Sequence, residues 1–228
     1  MGFPVARHPM NAQPQFSPEE VCDLRGGFGS LFAQLGRPEA LATDGERAAA
    51  LKFTRIENVP ALRLFLRAYV TEILLPLELP AIARAFSQVQ RNELRELLET
   101  TRALGSEPRL REFATASQRV GGSHLERLRP LADQRLVQRF RQAVAAGQAA
   151  PWHTVVFGLT LAIYSLPLRQ GLVHYARQML GGFIAGAAPP LRLNEAAADE
   201  LLEDLCAGLA AGVEAVVTAH AGGGLRVV

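Results

Sequence analysis

Residues 58–76 read NVPALRLFLRAYVTEILLP, and their spacing decides the fold class. Leu62, Phe65, Leu66, Tyr69, Val70, Ile73 and Leu74 recur at intervals of three and four residues. That period gathers side chains on one face of an α-helix, whereas a half-buried strand would alternate. Asn58 offers the side-chain acceptor of an N-cap and Pro60 suits a first turn. Pro76 has no N–H to give, so this helix is expected to end there.

The same period continues outward. "LPAIARAF" (79–86) begins a second helix, and "NELRELLETTRAL" (92–104) forms a third that should stop at Gly105. Ser106 is the expected cap of the next helix, with Pro108 in its first turn. Leu110, Phe113, Ser117, Val120, His124 and Leu128 form its inner stripe, to about Arg129. "DQRLVQRFRQAVAAG" (133–147) closes at a glycine. Asn194 should cap one last long helix, stopped by "GGG" at 222–224. No alternating strand, hairpin turn or internal repeat interrupts the pattern. The chain therefore reads as all-α, a single-domain compact bundle of about eight to ten helices over residues 18–221. A flexible N-terminal arm (1–17), rich in proline, and a flexible tail (222–228) should flank it.

The most apolar part is HTVVFGLTLAIYSLPLRQGLVHYARQMLGG, residues 153–182. Its uncharged run falls short of the roughly 20 residues that a membrane span needs, and Arg169 and Arg177 interrupt the next stretch. It reads instead as a core helical hairpin broken at "SLPL". His153 and His174 fall in neighbouring helices and can approach each other, either as core or interface histidines or as a two-histidine metal site. Small residues cluster from Gly171 to Ala188, which fits close core packing or a subunit interface.

Composition excludes several function classes. A hydrophobic fraction of 49% with 20% charged residues fits a globular chain, and a net charge of +2 sets up no general attraction for nucleic acid. Cys22 and Cys206 stand far apart in no CxxC pattern, the start lacks a secretory leader, and Ala6 spoils a myristoylation signal. A cytoplasmic location is the expectation. None of the five histidines belongs to an HExxH or Glu-x-x-His pattern. "RGGFGS" (25–30) lacks the Lys-Ser/Thr end of a phosphate loop. Paired carboxylates such as Asp199–Glu200 sit at helix beginnings, where they complement the dipole. The arginines between Glu107 and Arg141 form either a solvated face or a surface for an acidic protein, without the aromatic residues of a nucleic-acid site.

Residues 153–182 also resemble the UreF family of urease accessory proteins, with His153, Gly158 and the Ser165–Leu168 break at the family's places. "ALRLFLRAYVTEILLPLELPAIARAF" (61–86) is similar to the family's second helix and the start of its third. "SEPRLREFATASQRVGG" (106–122) places Gly121 at the family glycine. The likeness spans about residues 58–210. An N-terminal family signature is eroded around Gly26–Phe28 and Asp44–Glu46. Pro189 stands where the family carries a basic residue, and Arg192 where it carries a proline. "GGGLRVV" replaces the family's tail motif.

The resemblance implies an all-α, non-enzymatic, dimeric cytoplasmic scaffold. Such a scaffold bridges UreD (also called UreH) and the GTPase UreG, modulates the GTPase, and helps nickel enter apo-urease. It implies no cofactor of the chain's own, with nickel handled by the complex and not tightly bound here. Neither nucleic acid nor membrane is an expected partner. The candidate partner or interface residues are His153, Gly158, His174, Tyr175, Gly181, Gly182, Pro189 and Arg192. The alternative is an all-α ligand-responsive regulator or interaction module unconnected with urease.

Overall fold

The computed structural model describes residues 56–128 and 134–223. The expected arm at 1–17, the "RGGFGS" loop, Cys22 and the tail beyond Gly223 lie outside the described residues. Every regular element among the described residues is helical: the fold is all-α. Helix α1 (Val59–Tyr69) passes through a π-helical segment (Val70–Glu78) into α2 (Leu79–Gln90). Then come α3 (Leu94–Ser106), a 3-10 turn (Pro108–Leu110), α4 (Arg111–Arg127) and α5 (Arg135–Ala145). The remainder is α6 (His153–Ile163), α7 (Leu168–Leu191), α8 (Glu195–Ala207) and α9 (Leu209–Gly223).

The start of α1 follows its sequence signals. Asn58 Oδ1 accepts the Ala61 N–H at 2.9 Å, which satisfies a donor that the first turn leaves open. Leu62, Phe65, Leu66, Tyr69, Ile73 and Leu74 are all buried. The expected stop at Pro76 is corrected: the chain stays helical through it. Proline removes an N–H and crowds the carbonyl four residues back, which in α geometry breaks the helix. A π turn bonds five residues back instead, and the Leu79 N–H does so, to the Leu74 carbonyl. Glu72, four residues before Pro76, offers its carbonyl to Arg109 Nη1 at 3.4 Å.

Three further boundaries differ from expectation. Helix α3 runs through Gly105 to Ser106. Glu107, not Ser106, caps the following turn, its carboxylate accepting the Arg109 N–H at 3.2 Å. The single last helix is two: Asn194 Oδ1 caps α8 through the Ala197 N–H at 2.8 Å, and Gly208 separates α8 from α9.

Helix α6 forms the centre of the core. His153 through Leu161 are buried without exception, and only Ala162 and Ile163 at the end of the helix are partly exposed. Its 11 residues reach roughly 16 Å, about half a bilayer's apolar thickness. No helix among the described residues is long and apolar enough to cross a membrane. Two glycines let its neighbours close in. A Cβ on Gly158 would come within 2.5 Å of the Ile82 carbonyl oxygen, so α6 and α2 touch backbone to backbone. A Cβ on Gly121 of α4 would run into the Pro151 carbonyl and within 2.7 Å of the His153 nitrogen.

Candidate functional site

A polar cluster lies where the π-helical segment, α4, α6 and α7 meet. Its anchor is Glu78, the last residue of the π segment and 4% exposed. Tyr69, the residue just before that segment, donates its hydroxyl to Glu78 Oε2 at 2.6 Å. Tyr175 of α7 donates to the same oxygen at 3.3 Å. The Tyr69–Glu78 bond therefore clasps the two ends of the π segment. Burial pushes the Glu78 carboxyl up to about 7, with the two tyrosine hydrogen bonds opposing that rise. Both tyrosines are held well above their ordinary range, first by burial and then by the Glu78 charge.

Imidazoles continue the cluster. The ring of His153 lies 5.2 Å from that of Tyr175 and 6.1 Å from that of His124. His124 Nε2 and Thr160 Oγ1 stand 2.9 Å apart. Thr160 donates its own proton to the Val156 carbonyl at 2.8 Å, so the shared proton belongs to His124 Nε2. Burial, with His153 and Arg127 nearby, drives His124 well below the ordinary histidine range, so this imidazole is neutral. The His153 backbone N–H, at the open start of α6, donates to Ser117 Oγ at 3.2 Å. Ser117 and Gly121, one turn apart on α4, thus seat the first turn of α6.

The structure distributes the eight candidates unevenly. His153, Gly158, Tyr175 and Gly182 are buried within this chain. The α7 ring beside His153 is that of Tyr175, and an imidazole beside it is that of His124; His174, next to Tyr175 in α7, is half-buried. Gly181 is half-buried, with Leu202 of α8 at 3.8 Å from the position of a Cβ. Gly171 packs against the Leu161 side chain. Pro189 and Arg192 are exposed at the end of α7, and Arg192 closes that helix in a left-handed conformation at φ 52°. Ion pairs of Arg177 with Glu203 and of Arg169 with Glu214 (2.8 Å) fasten α8 and α9 to α7.

Glu78, Tyr69 and His124 escaped the sequence reading as a cluster. A signal existed: Glu78 falls four residues after Leu74, in phase with an otherwise apolar stripe, where a carboxylate needs hydroxyl or cationic company. Chemically, the cluster is enclosed and exposes no nucleophile. Among the described residues, no group of three or more His, Cys, Asp and Glu side chains could hold a metal ion.

No curated protein matches the chain. The UreF family profile matches residues 56–206, from the start of α1 into α8, and so takes in the π segment, the polar cluster and the glycine contacts of α6. The match covers more than half of the sequence, and the all-α fold agrees with it: the chain belongs to the UreF family, whose members are urease accessory proteins and not enzymes.

Proposed function

We propose that this chain is a non-enzymatic scaffold of urease maturation, bridging UreD (UreH) and UreG in the cytoplasm and shaping the nucleotide-dependent state of that GTPase. Nickel would then be the cargo of the assembled complex, passed on to apo-urease. The family match over residues 56–206 carries this reading. The chemistry agrees: Glu78 is held by Tyr69 and Tyr175, and His124 by Thr160, all buried, which suits a rigid platform better than a catalyst. A platform acts through its surface. The end of α7 offers Ala185, Pro189, Pro190 and Arg192, all exposed, as contact residues for a second copy or an accessory protein. Prolines keep such a surface stiff, which lowers the ordering cost of binding.

Co-expression with the UreD and UreG proteins of the same genome tests the bridge. The expected result is one species on size exclusion containing all three chains, with UreD and UreG failing to co-elute when this chain is left out. Separate elution of the three chains contradicts the proposal.

A further inference from the structure

A groove of about 960 Å³ runs between the π segment with α2 on one side and α9 on the other. Two contacts join its walls. Leu75 lies against the backbone of Gly212, where a Cβ would come within 2.6 Å of its side chain. Ser87 and His220 are hydrogen-bonded across the seam. The lining is largely alkyl, with Pro76, Pro80 and Ala83 on one wall and Ala215, Val216 and Ala219 on the other. The charge is one-sided. Arg84 and Arg91 line the groove, and no carboxylate stands among its described lining residues. Arg91 shares its charge with Glu93 at 2.8 Å, whereas Arg84 makes no ion pair among the described residues. Its Nε leans on the Pro80 carbonyl at 3.4 Å.

We propose that this groove docks an amphipathic, acidic helical segment of a partner protein. The apolar face of the segment would lie on the alkyl walls, and a carboxylate at its edge would meet Arg84. Helix-in-groove recognition has this form, with apolar anchors supplying affinity and an edge charge fixing orientation. A second copy of the chain fits poorly. A two-fold interface here would turn the same surface on itself, arginine towards arginine. Nucleic acid fits poorly as well, because a backbone of phosphates wants a line of cations and its bases want aromatic platforms. The inference is independent of the urease reading, since the groove's chemistry holds whichever protein supplies the segment.

The test uses the full chain and a designed, fluorescein-labelled amphipathic peptide of about four helical turns, with leucines on one face and glutamates along its edge. Anisotropy should show saturable binding. Arg84→Glu, a change at an exposed residue, should weaken it by about tenfold, and a lysine-edged peptide should recover the loss on that variant. Ala219→Trp, which fills the groove from an exposed position, should abolish binding of both peptides. Circular dichroism confirms that each variant is folded. Absence of saturable binding overturns the proposal, as does binding indifferent to both substitutions. A light-scattering mass that halves on Ala219→Trp would assign the groove to a second copy and overturn it too.

Discussion

Glu78 is a buried carboxyl held by two tyrosine hydroxyls, and its proton is coupled to folding. Its carboxyl is raised to about 7 from an ordinary 4.5. Between those values the native state holds a proton that the unfolded chain has lost. The contribution of Glu78 is therefore fully present below about pH 4.5 and disappears as pH rises through about 7. The difference amounts to roughly 3 kcal/mol. His124 acts in the opposite sense: kept neutral by burial, it loses stability as pH falls below the ordinary histidine range. Glu78→Gln keeps an acceptor for the tyrosines and removes the titration. In urea denaturation, the stability of wild type relative to this variant should fall between about pH 4.5 and about pH 7. Parallel pH profiles would contradict the coupling. The phase of Glu78 with the core stripe was visible in the sequence. Tyr69 stood on the same stripe nine residues earlier, but the second partner was not visible, because Tyr175 lies 97 positions away, a separation that periodicity cannot bridge.

At the scale of elements, close backbone contacts fix how α6 sits. Ser117 and Gly121 receive its first turn, and Gly158 meets α2. Gly121→Ala would press a methyl group onto the Pro151 carbonyl and the His153 nitrogen, neither of which can move without shifting the helix. Overpacking of this kind costs about 1–3 kcal/mol, a fall of roughly 2–12 °C in Tm for a domain of this size. Calorimetry checks it, and an unchanged Tm would mean that α4 and α6 are not seated as described. Helix stripes were legible here because burial imposes a period: the six inner positions read for α4, Leu110 to Leu128, are all buried. Pro76 misled because its helix-breaking rule assumes α geometry, and the π segment changes the bonding partner. The division at Gly208 was missed for a related reason. A glycine within an apolar run costs only about 1 kcal/mol, too little to announce a break.

At the scale of the whole molecule, the glycines at 171, 181 and 182 serve contacts within the chain, while Val173 and Arg177 stay exposed between them and further small exposed residues lie farther along α7. Gly171 meets Leu161, Gly181 lies beside Leu202 and Gly182 is buried, while Ala185, Pro189 and Arg192 remain exposed. Ala185 at that far end is a small exposed position at which a dimer contact through α7 can be probed. An isologous patch repeats each change on both sides of its axis, so Ala185→Glu should halve the mass measured by light scattering while leaving the helical signal intact. A mass that stays at two copies would move the interface elsewhere.

The most direct test of the urease role is activation in cells. Deleting this gene from its host should leave urease protein abundant but inactive in nickel-supplemented medium. Restoring the chain should return the activity, with nickel bound to urease rising in parallel. Full urease activity in the deletion strain, or nickel-loaded urease without this chain, would contradict it.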